Sequence, residues 1–542
     1  MAAAAATEGR LLLALADASD SGNTAEVSRL LDAGAPVNEV WPAAHGKTAL
    51  LRATEHGHVD IVRMLIERGA SVDAADHDGS TALLLASRHG HVDIVRMLLE
   101  HIASVKATDR RGLTAMLLAS RDGHVDIVRM LLERGASVDA ADHDGSTALL
   151  WASERGHVDI VRMLLERGAS VDVTDRDGST ALLWASRHGH VDIVRMLLER
   201  GASVDVTDRR GLTAILLASR DGHVDIVRML LERGASVDAA GHYGSTALLL
   251  ASLDGHVDIV RMLLERGASV DATDRHGKTA LLLASEHGHA DIVRMLLERG
   301  ASVDAIDCDG STALLWASER GHVDIVRMLL EHGASLDAID CHGHVALLLA
   351  SEHGHVDIVR MLLEHIASVD ATDRDGSTAL LWASEHGDVD IVRMLLEHIA
   401  SVDVTDRRGQ TAMLLASRDG HVDIVRMLLE RGASVDATDR DGSTALLWAS
   451  ERGHVDIVRM LLERGASVDA TDRRGLTAIL LASRDGHVDI VRMLLERGAS
   501  VDATDRDGST ALLLASRDGH VDIVRMLLER GASVDATDYV SN

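Results

Sequence analysis

Four side chains in the middle of the sequence are of types that bind transition metals: Cys308, Cys341, His342 and His344. Tetrahedral zinc takes thiolate and imidazole ligands, with each sulfur about 2.3 Å from the ion. The two cysteines are 33 residues apart, which is also the period of a repeat in this sequence. They therefore occupy the same position in adjacent units, about 10 Å apart if the units pack as neighbouring helices do. This spacing predicts neither a metal site nor a disulfide.

Histidine, a side chain with catalytic potential, occurs 31 times. Fourteen of them follow a glycine at the start of the second helix of a unit, as His58, His91 and His124 do, and Asp388 takes their place in one copy. A residue fixed at the same point of every unit is expected to satisfy backbone groups at a helix end. The sequence also contains no phosphate-binding glycine loop, no G-x-S-x-G and no H-E-x-x-H, so it predicts neither an enzyme nor a cofactor.

Five of the six tryptophans share one position in the repeat, which is otherwise mostly leucine. An arginine or histidine follows each of them four residues later, where it would lie one helical turn away and an arginine could stack on the indole. Tryptophan and arginine contribute strongly to protein interfaces, but a half-buried indole can equally replace leucine in packing. The pairs are Trp151 with Arg155, Trp184 with His188, Trp316 with Arg320, Trp382 with His386, and Trp448 with Arg452.

The element that positions these residues is a 33-residue repeat, complete at 505–536 with the linking residue Thr537. One threonine marks the period from Thr48 to Thr510 through fifteen copies without an insertion, and Val345 replaces it once. A constant period of this length is typical of a stacked solenoid in which each copy is one supersecondary unit.

Each copy predicts a turn, a short helix, a second turn and a longer helix. Asp505 to Gly508 has turn composition, and Thr510 is an N-cap candidate for the run that follows. The run from Val521 to Leu528 is amphipathic at helical spacing, and Gly531 is placed to end it in the left-handed conformation. Such short helices need their neighbours in order to be stable.

The pattern D-x-x-G-x-T-A-L-L-x-A-S-x-x-G-H-V-D-I-V-R-M-L-L-E-x-G-A-S-V-D resembles the ankyrin repeat over nearly the whole chain. The resemblance implies an all-α dominated solenoid of about sixteen stacked helix–turn–helix repeats with hairpin-like tips. Two departures recur in the copies: alanine stands for the family's proline, as at Ala82, and leucine for its histidine, as at Leu84.

The resemblance also implies that the short helix and the turn tips line the concave side, where partners of ankyrin-like folds usually dock. The copies differ from each other mostly at positions equivalent to His77, Asp78, Ser80, Leu85, Arg88 and His89, which belong to this region. We therefore expect the five pairs above, together with Arg52 at the tryptophan position of the second unit, to form a binding surface for a protein.

The domain boundaries follow from the repeat. Residues 1–10 are expected to be a disordered tail, 11–46 a degenerate capping repeat, 47–538 fifteen tandem repeats, and 539–542 a C-terminal stub. Three copies have isoleucine where the helix-ending glycine belongs, at Ile102, Ile366 and Ile399. A β-branched residue in a left-handed conformation carries strain.

The formal net charge of −30 is distributed over the copies with both signs interleaved. It disfavours nucleic acid as a partner, because phosphate binding needs a basic surface. The sequence contains neither a membrane-spanning apolar run nor a basic segment typical of a signal peptide. Two cysteines too far apart for a disulfide favour a reducing, cytoplasmic compartment, with the nucleus as the alternative.

The sequence therefore predicts a non-enzymatic scaffold or adaptor that binds a partner protein, with no small-molecule substrate and no membrane insertion. Two alternatives stay open. The chain could be the regulatory or targeting arm of a larger signalling enzyme or channel, since its last copy is not followed by a polar capping unit. It could also be a mechanical spacer, since near-identical copies suggest recent block duplication.

Overall fold

The computed structural model describes residues 2–40, 45–398 and 402–535, with side chains from Arg10 onwards. Within these ranges the secondary structure consists of thirty-two α-helices, and no strand is formed. The residues fall into two compact units, Met1–Arg275 and His276–Asn542. The boundary between the units falls in a turn and does not interrupt the period of 33 residues.

The first unit contains helices α1 to α16. They are α1 (Ala2–Asp20), α2 (Thr24–Asp32), α3 (Ala49–Glu55), α4 (Val59–Glu67), α5 (Ala82–His89), α6 (Val92–Glu100), α7 (Ala115–Asp122), α8 (Val125–Glu133), α9 (Ala148–Arg155), α10 (Val158–Glu166), α11 (Ala181–Arg187), α12 (Val191–Glu199), α13 (Ala214–Arg220), α14 (Val224–Glu232), α15 (Ala247–Leu253) and α16 (Val257–Glu265).

The second unit contains helices α17 to α32. They are α17 (Ala280–Glu286), α18 (Ala290–Glu298), α19 (Ala313–Arg320), α20 (Val323–Glu331), α21 (Ala346–Glu352), α22 (Val356–Glu364), α23 (Ala379–His386), α24 (Val389–His398), α25 (Ala412–Asp419), α26 (Val422–Glu430), α27 (Ala445–Arg452), α28 (Val455–Glu463), α29 (Ala478–Arg484), α30 (Val488–Glu496), α31 (Ala511–Arg517) and α32 (Val521–Glu529).

The odd-numbered helix α5 begins and ends at the residues that the repeat pattern predicts. Thr81 caps α5, because its Oγ1 accepts a hydrogen bond from the backbone N–H of Leu84 at 3.4 Å. Gly90 ends the same helix in the left-handed conformation, with φ of 76°. Glycine has no Cβ to clash in that conformation. The predicted N-cap and the predicted helix end are both confirmed here.

The even-numbered helix buries one face and exposes the other. In α6, Ile94, Val95 and Leu98 have no solvent exposure. On the outer face Arg96 and Asp93 form an exposed ion pair at 3.1 Å, and such a pair contributes little to stability. Burial of the aliphatic face between neighbouring repeats therefore stabilises these short helices.

The histidine that follows each glycine joins consecutive repeats. The Nε2 atom of His91 lies 3.2 Å from the carbonyl oxygen of Glu55, in the last turn of α3. Its side chain makes no capping hydrogen bond to its own helix, α6. The prediction that these histidines satisfy a helix end is confirmed, but the carbonyl group belongs to the preceding repeat. Asp388, in the one copy without this histidine, lies 3.4 Å from the position of a Cβ on Gly354.

The turns between repeats are held by their first aspartate. In the turn before α5, Oδ1 of Asp76 accepts hydrogen bonds from the backbone N–H groups of Asp78 and Ser80, at 2.9 and 2.8 Å. The next turn continues this contact, because the N–H of Arg110 donates to the carbonyl oxygen of Asp78 at 2.8 Å. The described turn tips contain isolated antiparallel bridges, such as Ala75 with Thr81. The tips are therefore turns that stack on each other within each unit.

Two isoleucines that replace a helix-ending glycine carry the backbone strain that the sequence predicts. Ile102 and Ile366 keep the left-handed conformation of the glycine they replace, with φ of 62° and 64°, so the expected strain is present. Ile399, Trp41, Pro42 and the stub 539–542 lie outside the described residues.

Residues 2–10 of the expected tail lie within α1, which begins at Ala2. The segment lacks apolar periodicity, but alanine has the highest helix propensity, and its five consecutive alanines extend the helix.

Candidate protein-binding surface

The first helices and turns of each unit lie side by side and carry the positions at which the copies differ. Within each unit, consecutive first helices, such as α9 and α11, pack against each other more extensively than consecutive second helices do. The first-helix side is therefore the more tightly packed side of each unit, and its turns form a row along it. We call this the turn-side surface and define it by the first helices and the turns that precede them.

All five tryptophans of the repeat position lie on this surface and are half-buried. Each indole N–H donates to Oδ2 of the aspartate nine residues earlier. The bonds are Trp151 to Asp142 at 3.3 Å, Trp184 to Asp175 at 2.9 Å, Trp316 to Asp307 at 3.1 Å, Trp382 to Asp373 at 3.3 Å, and Trp448 to Asp439 at 3.2 Å. Because its polar atom is satisfied inside the protein, the exposed part of each ring offers only apolar and π contacts.

The aspartates that accept the indole N–H groups were not predicted as site residues from the sequence. Asp307, for example, is 6% exposed, and its Oδ1 accepts the backbone N–H groups of Asp309 and Ser311 at 3.0 and 2.9 Å. One carboxylate thus fixes both its turn and the indole of Trp316. The available signal was the constant nine-residue spacing between the turn aspartate and the tryptophan.

The predicted stacking of the arginine four residues after each tryptophan holds at one site. Arg320 lies 6.0 Å from the centre of the Trp316 ring. In the described structure the guanidinium over Trp151 belongs to Arg121 of the preceding repeat, at 5.9 Å, and Arg155 does not take that place. Arg452 has no stacking contact with its tryptophan among the described residues. In the part of the chain that the structure describes, the predicted stacking is absent at Trp151 and Trp448 because each indole lies between two repeats. Such a ring faces the first helix of the preceding repeat as much as the helix that carries it.

The two histidines of the predicted surface do stack on their tryptophans. The rings of Trp184 and His188 are 5.9 Å apart and 4° from parallel, and those of Trp382 and His386 are 6.0 Å apart. Burial lowers the pKa of His188, and the positive charges of Arg187 and His190 add to this effect. His188 therefore favours its neutral form.

The residues four positions after the tryptophans are all exposed. Each half-buried indole therefore has an exposed arginine or histidine one helical turn away, and this residue contacts the ring at Trp184, Trp316 and Trp382. Arg52 differs, because its NH1 lies 3.3 Å from Oδ1 of Asp20 and its side chain is only 16% exposed. The structure thus places the five tryptophan pairs on the turn-side surface, and Arg52 in a packed ion pair.

The four residues of metal-binding types are Cys308, Cys341, His342 and His344. Cys308 and Cys341 form no disulfide, and Nδ1 of His344 is 3.0 Å from Oδ2 of Asp340. In residues 2–40, 45–398 and 402–535, no three histidine, cysteine or acidic side chains lie together in a group that could hold a metal ion. No helix in these ranges is long and apolar enough to cross a bilayer.

Comparison with known protein families identifies the repeat. The family model described as ankyrin repeats (3 copies) matches eight overlapping segments: 8–76, 70–142, 139–208, 202–274, 270–340, 336–406, 399–472 and 466–538. A search of curated proteins gave no match. The family match extends from residue 8 to residue 538, and the paired helices, glycine-ended first helices and stacked turns agree with it. The chain therefore belongs to the ankyrin-repeat family.

Proposed function

We propose that this protein is a non-enzymatic scaffold or adaptor that binds a partner protein on its turn-side surface. Ankyrin repeats are in general protein–protein interaction modules, and their solenoid is a non-catalytic fold. The observation that carries the proposal is a half-buried indole with an exposed arginine or histidine one helical turn away, found in five repeats and in ring contact in three of them. These side-chain types are enriched among residues that contribute most to binding.

The geometry of the pairs favours a preorganised surface. The hydrogen bond from Trp184 to Asp175, at 2.9 Å, holds the indole in one orientation, and the backbone N–H groups of the turn hold that aspartate through its Oδ1. A ring that is already fixed loses little conformational entropy when a partner covers it. Several such rings in a row would add their contributions for an extended or repetitive partner.

The charge distribution narrows the class of partner. With a formal net charge of −30, the chain would repel the phosphate backbone of a nucleic acid. A protein partner that contacts the exposed arginines and histidines beside the indoles fits the surface better. The two cysteines, which form no disulfide, support a cytoplasmic location for this role.

The test replaces all five tryptophans by leucine, which the chain itself uses at this position in most other copies. Leucine retains the packing, and the exposed aromatic surface is lost. A matched control changes the exposed arginine of the second helix in the same five repeats to glutamine: Arg162, Arg195, Arg327, Arg393 and Arg459. Circular dichroism verifies that both variants are folded.

Proximity labelling in cells, followed by cross-linking of the recovered partners, measures the effect. We expect the tryptophan variant to lose partners that cross-link to the turn-side surface, and the arginine control to keep them. Equal recovery of these partners by the two folded variants would contradict the proposal.

A further inference from the structure

The cleft between the repeats of α13 and α15 differs from the other clefts on the turn-side surface. We call it the Tyr243 cleft; Leu212 and Leu250 form its floor, and Arg210, Arg220, His242 and Tyr243 form its rim. Gly241 stands where the other repeats have the turn aspartate. All these residues belong to the first unit. The side-chain carboxylate that fills this position elsewhere is therefore missing here.

An equivalent cleft in the same unit shows what normally fills this space. The repeats of α7 and α9 have the same residues on the preceding side, with Leu113 and Arg121 at the positions of Leu212 and Arg220. There, the indole of Trp151 occupies the cleft, and the guanidinium of Arg121 lies 5.9 Å from its centre. Leu113 is only 3% exposed.

In the Tyr243 cleft this space is open, and the leucines beneath it are uncovered. Leu212 is half-buried, whereas its counterparts Leu113 and Leu476 are 3% and 6% exposed. Leu250 is also half-buried, although leucine at this position in the other described first helices is between 3% and 7% exposed, as in Leu481 and Leu283. The glycine and the missing indole thus leave the apolar side chains of Leu212 and Leu250 partly exposed.

The charge around the cleft is also unusual for this acidic protein. At least two carboxylate side chains line each of the corresponding clefts at Leu85, Trp184, Trp316 and Trp382. Among the described residues that line the Tyr243 cleft there is none, and its rim has two arginines and a histidine. Arg210 and Arg220 each contact one aspartate outside the lining, Asp208 at 3.6 Å and Asp221 at 2.9 Å. Such a rim complements an acidic ligand.

Arg220 is already oriented for stacking. Its Nε and NH2 atoms donate to the two carboxylate oxygens of Asp221 at 2.9 and 3.0 Å. Arg121 makes the same two bonds to Asp122 at 3.0 Å while its guanidinium lies over Trp151. An aromatic ring entering the Tyr243 cleft would therefore meet the same arrangement that the indole meets in the other cleft.

We propose that the Tyr243 cleft binds a phenylalanine side chain of a partner protein, within a peptide segment that carries carboxylates beside it. The ring takes the place that Trp151 has in the equivalent cleft, and the flanking carboxylates lie beside Arg210 and His242. Phenylalanine suits the site better than tryptophan, because the cleft has no aspartate to accept an indole N–H. This inference rests on the proposed protein-binding role and adds a specific site and ligand chemistry to it.

The test measures binding of short labelled peptides to the purified full-length protein by fluorescence anisotropy. The probe is a peptide with one phenylalanine flanked by glutamates, and the comparison peptides replace the phenylalanine by alanine or the glutamates by lysine. We expect both replacements to weaken binding by about tenfold or more. The alanine peptide loses the ring that fills the cleft, and the lysine peptide loses the carboxylates that face the basic rim. Equal binding of the alanine peptide would overturn the proposal.

The decisive variant is Gly241→Asp with Leu250→Trp, which reproduces the cleft of Asp142 and Trp151 and so fills the site with the protein's own indole. Gly241 lies outside the left-handed region, and an added Cβ would be 3.0 Å from the flexible end of Leu212, so the fold can accept aspartate. We expect about tenfold weaker peptide binding. Binding equal to that of the wild type would overturn the proposal.

A second variant, Leu212→Ser, introduces the residue most copies have at this position and removes half of the apolar floor, so it is also expected to weaken binding. The variant with five tryptophans replaced by leucine leaves the Tyr243 cleft intact and should bind the peptide as the wild type does. Failure of the peptide experiment would therefore leave the role of the tryptophans standing, and failure of the tryptophan experiment would leave the cleft standing.

Discussion

The imidazole ring of His223 lies against Gly189 of the preceding repeat, with its Cε1 atom 2.6 Å from the position that a Cβ on Gly189 would take. Nε2 of the same ring is 3.1 Å from the carbonyl oxygen of Arg187. The glycine therefore serves two purposes: it adopts a φ of 77°, and it leaves room for the histidine of the next repeat.

This contact predicts that two glycines with similar backbone conformations differ in their tolerance of alanine. Gly189→Ala would strain the backbone and displace His223, for a total cost of about 2–4 kcal/mol. Gly201→Ala is the control, because Gly201 has φ of 80° with no atom within 4 Å of the added Cβ, and it should cost about 1 kcal/mol. Hydrogen exchange in α11 and α12 measures the difference, and equal costs would contradict the contact.

The buried serines of the first helices are predicted to destabilise the fold. Ser186 is fully buried, and its hydroxyl has no hydrogen-bond partner among the described residues. Ser186→Ala should raise the free energy of unfolding by about 1 kcal/mol, because an unsatisfied polar group is removed. The exposed Ser203 changed to alanine should have almost no effect. Urea unfolding provides the comparison, and a loss of stability in Ser186→Ala would show that the hydroxyl is satisfied.

Replacing Ile366 by glycine is predicted to stabilise the end of α22. Ile366 has φ of 64° and is 89% exposed, so its side chain loses few contacts on removal. Relief of the left-handed strain should contribute about 1–2 kcal/mol to local stability. Hydrogen exchange in α22 should slow in the variant. Faster exchange would mean that the isoleucine makes contacts that outweigh its backbone strain.

The hydrogen bond from Trp316 to Asp307 predicts that changing the turn aspartate to asparagine costs more stability in this repeat than in a repeat without tryptophan. Asp307→Asn can keep the turn through Oδ1 but removes the acceptor of the indole N–H, at a cost of about 1–2 kcal/mol. In the control, Asp76→Asn, position 85 is leucine, and the cost should be smaller. Thermal unfolding and the fluorescence of Trp316 provide the measurements, and equal effects in the two repeats would contradict an energetic role for the bond.

The environment of His188 predicts a pH effect. Burial is the first cause of its lowered pKa, followed by Arg187 and His190. Because the folded-state pKa is below the ordinary value of 6.5, the unfolded chain binds more protons as the pH falls through that value, and stability decreases. His188→Gln should lose this part of the acid sensitivity. An NMR titration of the His188 ring should show a midpoint below that measured in urea.

The helical repeat could be predicted from the sequence because its determinants are local. Thr81, Gly90 and the aliphatic face of α6 act within one or two turns of chain, and their spacing is visible in any copy. The contacts between repeats could not be assigned in the same way. Arg121, and not Arg155, lies over Trp151 because the distance between neighbouring helices decides which side chain reaches the ring.

The position of the candidate surface could be predicted from the sequence, but the contacts within it could not. The position of the tryptophans followed from the variation among copies, but the hydrogen bond of each indole to its turn aspartate depends on how the turn folds back on the helix. The Tyr243 cleft is visible only in three dimensions, because it results from the combination of Leu212, Gly241 and Leu250 in two successive repeats.

The hydrogen bond between a histidine and a carbonyl group of the preceding repeat has a genetic consequence. It joins residues 36 positions apart, such as His223 and Arg187, and the same residue types recur every 33 positions. Removal of one whole period inside either unit would place another equivalent histidine next to the same glycine and carbonyl group. Recombination between copies could therefore shorten or lengthen the gene by whole repeats without creating a mismatched junction in the folded protein.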